Sequence, residues 1–232
     1  MARLPRLAVA GLPHLVVQHG QGSQPVFVTD QDRRLYLNAL LGAARACSVA
    51  VHAYVLLDDQ VCLLVTPAEG DALGRFMQRV GRRYVPEFNR RNGTHGALWA
   101  GRFQATTVDP ERYLLASIRL IEQAPVRVGM VAQAREWPWS SAGHHVGREA
   151  SPLVTEHEAY WRLGNTPFER EARHEIALQE MLTDDQVAEL LGAARAGWPL
   201  GSPAFLAAVA QTTDRPLQPR PRGRPRRVIP VR

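Results

Sequence analysis

Lysine is absent from this chain of 232 residues; all 28 basic residues are arginine. The arginine guanidinium is always charged, and its planar fork suits bidentate phosphate contacts. A GC-rich coding sequence produces the same bias, so the total alone assigns no partner. Cysteine is scarce: Cys47 and Cys62 are the two. Two thiols make neither a disulfide framework nor a four-thiolate zinc site, and a reducing cytoplasm is the simplest compartment. No apolar run approaches the ~18–20 residues that span a bilayer. The first eleven residues carry Arg3 and Arg6 but only a short apolar stretch, Leu7–Leu12, and read as no secretory signal. With 45% apolar and 22% charged residues, the composition is that of a globular protein.

The distribution of charge says more than the net +6. Residues 214–232 hold seven arginines and one acid, 7 − 1 = +6. Residues 73–108 hold seven arginines (75, 79, 82, 83, 90, 91 and 102) and one acid, Glu87, again +6. Residues 149–189 hold three arginines and ten acids, 3 − 10 = −7. A polyanion-binding body, an acidic helical segment and a basic tail follow.

Periodicity orders the chain. Leu12–Gln18 reads as a strand ending at the turn His19–Ser23. Asp30 is expected to cap a helix running to about Cys47. Val49–Leu57 and Val61–Thr66 form a hairpin through Asp58-Asp59-Gln60. Asp71 starts a helix striped by Leu73, Phe76, Met77, Val80, Tyr84 and Phe88, which Pro86 is expected to kink or end. Arg102–Val108 reads as a fourth strand, and Asp109-Pro110 opens a helix expected to stop near Gln123, before Pro125. Strand, helix, strand, strand, helix, strand, helix is the order of a ferredoxin-like α+β fold. It implies a four-stranded antiparallel sheet with helices on one face and the other face open to a ligand such as nucleic acid. Beyond 148, Pro167–Met181, Thr183–Arg195 and a segment from Ser202-Pro203 to about Ala210 read as helices. The pair around Gly197–Gly201 reads as a plain αα-hairpin more readily than as a helix-turn-helix. The expected organisation is 1–148 as the sheet domain, 149–213 as a helical C-terminal subdomain, and 214–232 as a disordered Arg/Pro-rich tail.

Several motifs stand in order along the chain. They are Met1-Ala-Arg-Leu-Pro-Arg6, Gln24-Pro-Val-Phe27, His52-Ala-Tyr-Val-Leu56, Gly81-Arg-Arg-Tyr84, Phe88-Asn-Arg-Arg91, and Leu98-Trp99 with Gly101-Arg102. They continue with Glu111-Arg-Tyr-Leu-Leu115, Pro125-Val-Arg127 with Gly129-Met-Val131, and Trp137-Pro-Trp-Ser-Ser141. From residue 1 to about 142 this pattern resembles the REP-associated tyrosine transposases of the IS200-like, single-tyrosine His-hydrophobe-His superfamily. Gly197–Ser202 and the tail resemble the C-terminal extension of the longer members. The resemblance implies DNA transposition chemistry: two strand histidines hold a divalent metal that polarises a phosphodiester, and a helix tyrosine attacks it. At the matching positions stand Gln60 and Cys62 for the histidines, Leu120 for the tyrosine, Ala124 for an asparagine and Ala100 for a glutamate. A carboxamide is a poor metal ligand, a thiol is too soft for magnesium, and leucine has no nucleophile. The resemblance therefore implies a catalytically degenerate copy, with no catalytic residue, no metal ligand and no cofactor. Asp58, Asp59 and Tyr113 are the available substitutes, read first as turn and packing residues. His144-His145 is read as surface.

Arg75, Arg79, Arg82 and Arg83 recur at i, i+4, i+7 and i+8 opposite the apolar stripe, on a face that shows no acid, and are expected to contact phosphate. Arg90, Arg91 and Arg102 fall in matching motifs and join them. Arg222-Gly-Arg224-Pro matches an AT-hook core, in which an extended Arg-Gly-Arg enters a narrow A·T minor groove. The expected partner is DNA, as a single-stranded hairpin or A·T-rich duplex, in the cytoplasm on the nucleoid. No membrane partner is expected, and a homodimer is left open. An active single-strand transposase with substitute residues, an RNA-binding module on the same fold and a decaying relic are the alternatives.

Overall fold

The computed structural model describes residues 6–218. Strands β1 (His14–His19), β2 (Val49–Leu56), β3 (Gln60–Pro67) and β4 (Gln104–Thr107) form one sheet in the order β2-β3-β1-β4, all pairings antiparallel. Helices α1 (Asp30–Cys47) and α2 (Ala72–Asn92) connect β1 to β2 and β3 to β4. This is the expected ferredoxin-like arrangement.

Side-chain parity builds two cores, one on each face. Val16, Val61, Leu63 and Val65 point to the face covered by α1 and α2, while Leu15, Val17, Cys62 and Leu64 point to the other. β2 changes parity midway. Val49 and Val51 share the first face with Tyr54 and Leu56, whereas Ala53 and Val55 take the second. The cause is a bulge at His52, where the register steps from Val51↔Val65 to Ala53↔Leu64. The His52 ring fills the bulge, with Nδ1 on the Thr155 carbonyl and Nε2 on Thr66 Oγ1, each at 2.7 Å.

The second face is not open. Helix α3 (Pro110–Arg127) covers it with Leu114, Ile118, Leu120 and Ile121, and α7 (Asp184–Ala196) adds Leu190 and Ala194 to the same cluster. Four shorter helices complete the described residues: α4 (Ala142–His145), α5 (Glu158–Trp161), α6 (Pro167–Gln179) and α8 (Pro203–Ala210). Later segments also cover both sheet edges. Leu56 and Ser141 donate to the carbonyls of Trp139 and Tyr54 along β2, and Leu200 donates to Thr107 beside β4.

Four local expectations change. Thr29, not Asp30, caps α1, in a capping box with Asp32. α2 runs through Pro86 to Asn92, because the buried stripe continues to Phe88 and Gly93 supplies the left-handed cap. α3 likewise continues past Pro125 to Arg127. β4 begins at Gln104 rather than Arg102. At the other end, Arg215 donates to the Gly197 carbonyl at 2.6 Å and Leu217 packs with Leu7, Val9 and Val209, so the chain stays attached beyond 214. Arg222 and Arg224 lie outside the described residues.

Candidate nucleic-acid interface

α2 presents two faces, as its sequence predicts. Leu73, Phe76, Met77, Val80, Tyr84 and Phe88 are all buried on the first core. Tyr84 anchors the helix, stacking edge-on with Tyr36 at 5.0 Å and donating its hydroxyl to the Val26 carbonyl.

The opposite face carries the arginines, but they are not equivalent. Arg75 pairs with Glu69 at 2.5 Å and with Asp71 at 3.2 Å, so the expected absence of acids on this face is corrected: the loop before the helix supplies them. Arg90 is neutralised by Glu87 at 2.6 Å, its neighbour three residues back. Arg91 reaches Asp32 at 3.3 Å. Asp32 is almost fully buried and already accepts from Val28 and Thr29. Burial alone would raise its carboxyl pKa, but those bonds and the Arg91 guanidinium hold it below the usual range. Arg91 is therefore part of the fold.

Arg79, Arg82, Arg83 and Arg102 are exposed and have no acidic partner among the described residues. Arg79 and Arg82 border a polar groove of about 520 Å³ between α2 and the end of α1, together with Gln78 and Ser48. Three unpaired guanidiniums within two helical turns repel one another and favour a polyanion.

The positions that the resemblance assigns to chemistry lie on the other side of the sheet. Gln60 Nε2 sits 2.8 Å from Cys62 Sγ. Cys62 and Leu120 are buried in one apolar cluster. Burial pushes the Cys62 thiol up to about 12, so no thiolate is present at neutral pH. These groups do not fit a divalent metal. Asp58 is taken by an ion pair with Arg33, and its carbonyl accepts from Val26 and Phe27. The Tyr113 hydroxyl donates to Glu189 at 2.9 Å; burial and that carboxylate raise its pKa, opposite to what a nucleophile needs.

One cluster escaped sequence reasoning. His145 is not on the surface. It is buried with His174 around Glu122, whose carboxylate accepts from His145 at 2.6 Å, His174 at 2.7 Å and Ser141. Burial would raise the Glu122 pKa; the two imidazoles overcome it and hold the carboxyl well below its ordinary value. The available signal was Glu122 standing at i+4 from Ile118 and i+8 from Leu114, on the buried stripe of α3.

Comparison with known proteins adds the fold. No family model matches the chain, and no curated protein matches it. A solved REP-associated tyrosine transposase bound to a REP hairpin aligns over 68% of this chain and 96% of that one, at 20% identity and a TM-score of 0.55. A protein of Deinococcus radiodurans R1 named as a transposase aligns over 51% of this chain and 93% of its own, at 20% identity and a TM-score of 0.37. The first likeness establishes a shared fold.

Proposed function

We propose that this chain, built on the fold of a REP-associated tyrosine transposase, is a DNA-binding protein that holds hairpin DNA without cutting it. The observation that carries the reading is the row Arg79, Arg82 and Arg83: exposed, unpaired among the described residues, and set on a rigid helix whose other face is core. The solved relative in fold carries a REP hairpin, which supports the same class of ligand here. Arg102, exposed in the loop between α2 and β4, is assigned to the same ligand, and Arg75 joins by exchanging Glu69 and Asp71 for phosphate. Arg90 joins by releasing Glu87, whereas Arg91 contributes only its long-range field. The Arg222-Gly-Arg224 core adds affinity for A·T-rich duplex through the minor groove.

Strand cleavage is excluded from the proposal on chemical grounds. A transesterification needs a nucleophile and an electrophilic clamp, and Gln60, Cys62 and Leu120 offer a carboxamide, a protonated thiol and a hydrocarbon.

Fluorescence anisotropy of the full chain on a hairpin probe, across salt, tests the reading. Affinity should fall with a log–log slope of roughly −0.7 to −0.9 per phosphate contact. Arg79→Ala, Arg82→Ala and Arg83→Ala together should make that slope shallower by about 2 to 3 units. A flat salt response, or tighter binding to a matched RNA hairpin, overturns the DNA reading. A covalent protein–DNA adduct with magnesium or manganese overturns the absence of cleavage.

A further inference from the structure

Three helices from separate parts of the chain each send one ligand-type side chain to a common buried point. Glu122 of α3, His145 of α4 and His174 of α6 are each at most 2% exposed, and their ligand atoms lie within 4.8 Å of one another. We propose that these three residues bind a single divalent transition-metal ion of the zinc class, which fastens α4 and α6 to α3. The site is separate from Gln60 and Cys62 on the sheet. It does not depend on the DNA-binding reading.

The donor set selects the ion. Two imidazole nitrogens and one carboxylate oxygen suit zinc in tetrahedral geometry, with the fourth position left to water. Magnesium and calcium prefer all-oxygen shells and are disfavoured. His145 Nδ1 lies 2.6 Å from Glu122 Oε1, and His174 Nε2 lies 2.7 Å from Oε2. Zinc at its usual bond lengths separates such atoms by about 3.3 Å. The pocket must therefore widen by about 0.6 Å, a shift within side-chain relaxation.

The protons have somewhere to go. Binding needs an ionised carboxylate and a lone pair on each coordinating nitrogen. In the metal-free chain His145 Nδ1 and His174 Nε2 both donate to Glu122, so zinc replaces the proton on each of these nitrogens. Both hydrogen bonds to Glu122 are exchanged for metal bonds, and the protons displaced from the coordinating nitrogens are released to solvent, so uptake weakens as pH falls. The surroundings already orient the ligands. Ser141 Oγ donates to Glu122, the Tyr160 hydroxyl donates to the His145 carbonyl at 2.7 Å, and the Tyr160 ring lies 4.7 Å from the His145 ring. A groove of about 390 Å³ between residues 132–135 and α6 is lined by Val146 and Glu175, the chain neighbours of the two histidines, which brings solvent to within one residue of each.

The test uses the full chain, stripped with a chelator and titrated with zinc chloride by calorimetry and against a chromophoric chelator. About one equivalent should bind, with a rise in melting temperature. His174→Gln and Glu122→Gln should each weaken binding at least tenfold, while His157→Gln, outside the cluster, should not. Cobalt(II) added to the stripped wild-type chain should give the intense visible bands of a four-coordinate ion, a readout that needs no variant. No zinc uptake by the stripped wild-type chain overturns the proposal. So does uptake unchanged in a folded His174→Gln variant, or only the weak bands of six-coordinate cobalt.

Discussion

Arg91 and Arg79 stand on the same helix, the first paired with Asp32 and the second without an acidic partner among the described residues, and single substitutions should separate them. Arg91→Ala leaves the buried Asp32 carboxylate short of a donor and should cost about 1–3 kcal/mol. Arg79→Ala touches no partner among the described residues and should leave stability within about 0.5 kcal/mol while weakening DNA binding. Thermal melts and anisotropy on the same two proteins check both. His14 supplies a pH signature. It is buried, with Nδ1 on the Leu12 carbonyl at 2.8 Å and Nε2 accepting from the Val9 amide at 3.2 Å. Burial depresses its pKa to about 4, and His52 in the β2 bulge is depressed to about 4 for the same reason. The unfolded chain, at about 6.5, binds protons that the folded chain refuses. Stability is therefore fully present above pH ~6.5 and falls as pH drops toward 4, by up to about 3 kcal/mol for His14. Urea melts from pH 7.5 to 4.5 should show that slope, and His14→Gln should flatten it in part. A wild-type midpoint that stays constant across the range would contradict the neutral buried ring.

The sheet edges show how elements late in the chain protect elements early in it. Along β4, Leu200 donates to Thr107, Asp109 donates to Leu200, and the Thr106 hydroxyl donates to the Trp198 carbonyl. Asp109 also caps α3 and accepts from Ser202, the cap of α8. One short segment thus fixes a strand edge and two helix starts. Gly201 is required there, because a Cβ would stand 2.7 Å from Asp109 Cβ and 2.3 Å from the Phe205 ring. Leu200→Pro removes the donor to Thr107 and should lower stability by about 1–3 kcal/mol. It should also uncover the β4 edge, seen as growing light scattering on mild heating. A variant that melts like wild type and stays monodisperse would show that the segment merely lies alongside.

For the molecule as a whole, charge is divided between a folded arginine face and a basic C-terminal stretch. Arg215 donates to Gly197 and its guanidinium lies 5.2 Å from the Trp198 ring, and Leu217 is part of a small core, so a cut at 214 would disturb the fold. Deleting 219–232 instead removes six arginines (220, 222, 224, 226, 227 and 232) without touching those contacts. That truncation should reduce affinity and salt slope on A·T-rich duplex more than on a hairpin, because the α2 face remains. Equal losses on hairpin, A·T-rich and G·C-rich probes would mean a tail that adds charge alone.

The strands, their order along the chain and the three long helices were legible because each rests on local periodicity: the stripe from Leu73 to Phe88, the Asp109-Pro110 start, the hairpin at Asp58-Asp59. The second face was expected to be open and is covered, although Val61-Cys-Leu-Leu-Val65 is apolar at every position and leaves no polar side for water. Three features were decided only by tertiary structure. Arg75, Arg90 and Arg91 found acids on a preceding loop, on their own helix and on α1, so three unpaired arginines remained of the six expected on α2. Pro86 and Pro125 stayed inside helices because packing on both sides outweighed one missing hydrogen bond each. Glu122, His145 and His174 met because α4 and α6 fold back over α3, and no spacing along the chain encodes that meeting. Periodicity reports which side of an element is buried; it carries no information about which other element arrives to bury it.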